Sequence, residues 1–285
     1  MYQIHNEVFC LSINEIGAEL EELSIKGIPV LWKRNELWQD QSPILFPIVG
    51  KVKDGYYIYK DKKYSMKLHG FLKNELFEVV SHEETSITLK AQYSKETVKL
   101  YPFSYEFYIS YILIDHQIKI AIEIKNLGND EMFFSVGVHP GLAYEGLKKI
   151  LGEDITLYFS SNQVQSVEFD PTFVKKIEDE TIDSSMTLVR LSEELKKKKT
   201  LCYQGINEVD IKAQTNSLKI KHNMPYLAFW QSQPENPKFL CIEPWHGLPD
   251  EAMTNHQFTQ KKGILRLNAK DAFKTDVEIN FIEGV

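Results

Sequence analysis

Period-two alternation of apolar and polar residues restricts the fold of this chain more than any other feature. In Ile118-Lys119-Ile120-Ala121-Ile122-Glu123-Ile124 every isoleucine falls on the same parity. A strand sends successive side chains to opposite faces, so such a segment buries one face and wets the other. Ile87-Thr88-Leu89-Lys90, Leu218-Lys219-Ile220-Lys221 and Val277-Glu278-Ile279-Asn280-Phe281 repeat the pattern. Half-buried alternation of this kind belongs to antiparallel sheets. Short polar turns join several segments. Lys60-Asp61-Lys62-Lys63 connects Tyr56–Tyr59 to Tyr64–Met66, and Asp115-His116-Gln117 connects Tyr105–Ile114 to Ile118–Lys125. A third turn, near Asn216, connects Val209–Ala213 to Leu218–His222. The expected fold is all-β, a large antiparallel β-sandwich with very little helix.

One helix is predicted over Leu191–Lys198, with Ser192 as N-cap ahead of Glu193 and Glu194. The run Lys196 to Lys199 reads as its solvated end, where cations complement the helix dipole. No βαβ alternation, glycine-rich phosphate loop, fixed-period repeat or Pro/Gly/Ser-rich linker interrupts the chain. Residues 1–285 therefore read as a single domain.

Composition narrows the function. At 43% hydrophobic residues over 285 positions, the chain can build a core without a metal or disulfide staple. A formal charge of −7 gives no support for nucleic-acid binding. Cys10, Cys202 and Cys241 are odd in number and far apart, so they form neither a disulfide framework nor a CxxC zinc pair. Met1 to Cys10 lacks the basic segment and apolar run of a secretory signal. No stretch approaches the ~20 apolar residues that span a bilayer. The expected setting is reducing and cytoplasmic, without nucleic-acid or membrane partners.

Four segments end an apolar stretch in a polar group beside glycine or proline. They are Pro43 to Lys51, Lys67-Leu68-His69-Gly70-Phe71, Phe134 to Gly141 and Phe239 to Gly247. Such ends hold a side chain rigidly beside a loop that leaves room for a ligand. A histidine next to glycine is more often a hydrogen-bonded framework residue than a catalytic one. Glu243, after Leu240-Cys241-Ile242, is harder to dismiss, because a carboxylate following a buried strand must be paired or have a task.

These segments, with Gly17-Ala18-Glu19-Leu20 and Tyr101-Pro102-Phe103, occur in an order that resembles the aldose 1-epimerase (galactose mutarotase-like) family. The likeness is to its bacterial lactose-operon-associated branch and covers nearly the whole chain. It implies the galactose mutarotase-like supersandwich, with a sugar site on a concave sheet face. It implies interconversion of the α and β anomers of a free aldose such as glucose or galactose. The family's catalytic histidine and glutamate carry over onto His139 and Glu243. A second, sugar-holding histidine carries over onto His69. A sugar-contacting arginine corresponds to Lys51, which can donate to a hydroxyl but offers no planar fork. The family's sugar-binding aspartate has its nearest counterpart in Gln204.

The chemistry suits these residues. Anomer exchange removes a proton from O1 and delivers one to the ring oxygen, so a carboxylate base and an imidazole acid suffice. Glu243 is the expected base and His139 the expected acid, kept protonated by a modest shift from its ordinary pKa. No redox cofactor or metal is called for. Trp230 and Trp245 are candidates to pack on the C–H face of the sugar, with core packing as the plainer reading of each. His246 and Asp250 could orient Glu243 or be ordinary loop residues. The expected partner is a small sugar, and the chain a monomer or homodimer.

Three alternatives remain. A hexose 6-phosphate substrate would need cations at the site, where Lys51 and Lys53 would have to replace an arginine cluster. A non-catalytic sugar-binding or sensing protein would have no need of an acid–base pair. A glycoside hydrolase would usually need two carboxylates.

Overall fold

The computed structural model describes residues 1–232 and 237–284. Among them, two large antiparallel sheets dominate. The nine-stranded sheet runs, edge to edge, through Ser185–Thr187, Thr156–Phe159, Glu208–Lys212, Asn216–His222, Ala272–Glu283, Gln117–Asn126, Tyr105–Ile114, Ser86–Gln92 and Glu78–His82. The eight-stranded sheet runs through Phe173–Thr181, Gln163–Asp170, Thr200–Gln204, Tyr226–Trp230, Phe239–His246, Val136–Val138 and Ile44–Leu45, with Gly141–Ala143 also paired to Phe239–His246. A four-stranded sheet is built from Tyr2–His5, Phe9–Ile13, Leu20–Ile25 and Ile28–Pro29.

The alternation read from the sequence sets the layers. Ile118, Ile120, Ile122 and Ile124 face inward, as do Leu218, Ile220, Val277 and Ile279. They join Leu201, Tyr203, Leu227, Phe229, Leu240 and Ile242 of the eight-stranded sheet in one continuous core. The opposite parity of those strands, which includes Cys202, Ala228 and Trp245, forms a separate apolar cluster on the other face.

The hairpin at Tyr56 is tighter than expected. Tyr56–Tyr59 pairs with Lys62–Ser65 across Lys60 and Asp61, whose φ values are +47° and +60°. Two left-handed central residues give the turn whose twist matches a hairpin. The predicted helix also begins earlier, spanning Leu188–Lys198. Thr187 is its N-cap, accepting from the Arg190 N–H at 3.2 Å. Ser192 is instead buried, donating to Gln231 Oε1 at 3.2 Å. A second helix, Tyr144–Leu151, escaped the sequence reading although Leu147, Ile150 and Leu151 are spaced for one buried face and Gly152 ends it at φ +115°. Among the described residues no helix is long and apolar enough to cross a membrane.

Candidate active site

Strand register brings His139 and Glu243 together. Val136 and Gly137 pair with His246 and Trp245, while Gly141, Leu142 and Ala143 pair with Cys241, Leu240 and Phe239. The register is unchanged across the gap, which sets His139 directly opposite Glu243. Pro140 removes one N–H from the ladder at that point. Parity fixes the face: Leu240 and Ile242 enter the core, so Cys241, Glu243 and Trp245 point away from it. Gly137 is required here, since a Cβ would lie 2.7 Å from the Trp245 ring.

His139 Nε2 lies 3.1 Å from Glu243 Oε2, with side chains 9% and 2% exposed. Glu243 Oε2 and His139 Nδ1 both lack a hydrogen-bond partner among the described residues. Burial pushes the Glu243 carboxyl well above the usual carboxylate range. The Trp245 indole N–H acts the other way, from a position just short of hydrogen-bond geometry. Burial pushes His139 well below the usual imidazole range, and His69 adds to this. Desolvation thus acts against the charged form of both partners, and so against the protonated His139 expected from the sequence.

The pair opens onto a cavity of about 480 Å³. His69, Lys51, Trp230 and Trp245 also line it. The His69 ring stands perpendicular to that of His139, with centroids 5.4 Å apart. His69 Nδ1 accepts from the Gly50 N–H at 3.1 Å, and the His69 N–H donates to Gly50 O at 2.8 Å. This exchange assigns the ring proton to Nε2. Burial, then nearby Lys73, lowers the His69 pKa to about 3, so the ring is neutral. Its backbone sits at φ +61°, uncommon for a residue with a side chain and typical of a functional constraint. Lys51 is exposed on the cavity rim and makes no ion pair among the described residues.

Gln204 is a correction. It shares a sheet face with Thr200 and Cys202, but the cavity wall includes Thr200 and not Gln204. Gln204 lies at the far end of its strand, opposite Tyr226 and Gln165, beyond the apolar cluster around Cys202. His246 and Asp250 do not hold Glu243 either. His246 Nε2 contacts Thr275 Oγ1 at 3.2 Å, while Asp250 accepts from the Lys53 N–H and from Lys261 Nζ, each at 2.8 Å. Lys53 donates its Nζ to Ala252 O and does not line the cavity.

The sequence reading missed several wall residues. Trp38 is the main one, its ring 5.1 Å from that of His139 and 5.5 Å from that of Trp230. An indole in the polar loop Arg34-Asn35-Glu36-Leu37-Trp38-Gln39-Asp40 was the available signal. Asp40, paired with Lys73 at 2.7 Å, and Lys199 line the cavity too. The last lysine of the run thus faces the site and not bulk solvent alone. A second depression, of about 330 Å³, lies on the nine-stranded sheet. Its charges are matched among themselves, Lys119 with Asp276 at 2.7 Å and Lys274 with Glu123 at 3.5 Å. Among the described residues one group has three metal-ligating side chains close together: His139, Cys241 and Glu243.

Comparison with known proteins places this arrangement in context. The sequence model of the family described as Aldose 1-epimerase matches residues 1–266. The plasmid-encoded protein LacX of Lactococcus lactis subsp. lactis is 23% identical over 302 aligned positions, covering 98% of this chain and 99% of that protein. The crystal structure of a galactose mutarotase related enzyme from Lactobacillus acidophilus superposes with a TM-score of 0.90 at 26% identity, covering 100% of this chain and 98% of the other. A galactose mutarotase-like protein from Lactobacillus casei gives a TM-score of 0.87 at 24% identity, with 99% of both chains covered.

Proposed function

This chain belongs to the aldose 1-epimerase family, and from that premise we propose that it is an isomerase that interconverts the α and β anomers of a free aldose. The observation that carries the proposal is the His139–Glu243 pair, opposed in register, 3.1 Å apart and buried at the wall of a cavity.

The mechanism follows from the proton inventory. The neutral pair holds one exchangeable proton on the Glu243 carboxyl. Its transfer to His139 gives carboxylate and imidazolium with no change in net charge. A bound sugar favours this form, because its hydroxyls bond the oxygen that has no hydrogen-bond partner among the described residues. Glu243 then takes the proton from O1 while His139 gives one to the ring oxygen, and the C1–ring-oxygen bond breaks to an aldehyde. C1 turns, and the same transfers in reverse close the other anomer. His69 Nε2 donates to the sugar near the ring oxygen, and Lys51 donates to a hydroxyl. Trp230 and Trp245, with Trp38, pack on the C–H faces. The whole chain acts as one cytoplasmic unit on a small sugar.

A second reading has one supporting observation. Lys51 and Lys199 both line the cavity, and neither is ion-paired among the described residues. They suit an aldose that carries a phosphate. NMR of freshly dissolved α-D-glucose, α-D-galactose and α-D-glucose 6-phosphate decides between the two. Faster equilibration of the free sugars supports the first reading. Acceleration confined to the phosphate ester supports the second. Acceleration of none leaves a binding protein.

A further inference from the structure

We propose that this wall of the cavity is also a site for a thiophilic divalent cation of the zinc class, held by His139, Cys241 and Glu243, and that cation and sugar exclude one another. Exclusion rests on the function proposed above, whereas cation binding stands on geometry alone.

Cys241 and Glu243 are two apart on one strand and so share a face, and His139 stands opposite Glu243. One ligand atom from each lies within 4.8 Å of the others, and all three residues are buried. A zinc ion bonded at about 2.0–2.3 Å to nitrogen, oxygen and sulfur holds its ligands roughly 3–4 Å apart. The trio therefore needs only small side-chain rotations to close. Glu243 Oε2, buried and without a hydrogen-bond partner among the described residues, lies 3.1 Å from His139 Nε2.

The donor set chooses the cation. Thiolate and imidazole suit zinc and its neighbours, while magnesium and calcium prefer all-oxygen sites. A thiolate, a carboxylate and a neutral imidazole cancel a dipositive charge, which a buried position requires. Cys241 sits under Trp38, Trp230 and Phe239, away from the open cavity, whereas His139 and Glu243 line it. The fourth coordination position thus opens onto the cavity, as in zinc sites with three protein ligands and a water. With the ion bound, neither Glu243 nor His139 can exchange protons with a sugar.

Cobalt(II) and zinc chloride titrated into the full chain test the proposal. Cobalt should give a thiolate-to-metal charge-transfer absorption in wild type and none in Cys241→Ser. Zinc should raise the wild-type melting temperature but not that of Cys241→Ser, whose circular dichroism confirms folding. Zinc should slow anomer exchange, added sugar should relieve it, and Cys241→Ser should need at least about tenfold more zinc. Absence of the cobalt band in wild type, or the same band in Cys241→Ser, overturns the site. Inhibition that sugar does not relieve overturns the exclusion. A chain without anomer exchange but with the cobalt band loses the proposed function and keeps the metal site.

Discussion

Glu243 is a carboxyl taken out of water with one oxygen that no hydrogen bond among the described residues satisfies. Asp250, only seven positions on, is equally buried but fully engaged: Lys261 Nζ donates to Oδ1 and the Lys53 N–H to Oδ2, each at 2.8 Å. The contrast separates a residue kept available from one that holds structure. Asp250 also donates its backbone N–H to Lys51 O at 2.9 Å, so it anchors the loop that presents Lys51. Removing one partner of a buried pair strands the other charge. Asp250→Ala should therefore lower unfolding stability by about 3 kcal/mol in urea titrations. Replacing Lys261 by Met in the same chain should restore much of it. A loss under about 1 kcal/mol would mean that the Lys261 ammonium is already solvated. At this scale the sequence marked Glu243, His139 and His69 because each breaks an apolar run beside glycine or proline. It did not mark Trp38, which reaches the site from a loop with no periodic signal. It misplaced Gln204, because distance along a strand is invisible without the register.

Strands and turns supply that register. The Gly70 element shows how tightly the site loops are built. Gly70 has φ +80°, and a Cβ there would lie 2.0 Å from Phe46 O. That carbonyl already accepts from the Phe71 and Leu72 N–H groups, at 3.1 and 3.3 Å, so it cannot retreat freely. Gly70→Ala should cost at least about 2 kcal/mol of stability and displace His69 from Gly50, raising KM. Thermal melting together with anomer-exchange kinetics checks this. A variant of wild-type stability and KM would show that the loop is softer than its contacts imply. Strands were legible because period-two alternation needs no long-range information, as in Tyr105–Ile114 and Gln117–Asn126. Element ends were less so. The helix starts at Leu188 with Thr187 as its N-cap, and Ser192 is engaged instead by Gln231, a tertiary partner 39 positions away.

In the whole molecule, the eight-stranded sheet keeps one face in the core and offers the other to the cavity. Four histidines pay for their enclosure in the same direction. Burial lowers His69 to about 3, His222 and His246 to about 4, and His139 well below its ordinary value. In the unfolded chain each binds a proton near pH 6.5, so below that pH the unfolded state takes up protons that the native state refuses. Stability should fall as pH drops from 6.5 towards 5, by about 1 kcal/mol per pH unit for each histidine fully titrating. Glu243 opposes this, since its raised pKa lets the native state keep a proton that the unfolded chain releases above about 4.5. Glu75, raised by burial and then by Glu96, acts with Glu243; two groups against four leave the slope with the histidines. A melting temperature that is flat or rises from pH 6.5 to 5 would contradict this. Polarimetry of freshly dissolved α-D-galactose measures most directly what the chain does with the His139–Glu243 pair. Wild type should bring the anomers to equilibrium well ahead of buffer, and Glu243→Gln should lose at least about a hundredfold of that acceleration. A correctly folded Glu243→Gln chain as fast as wild type would contradict the account.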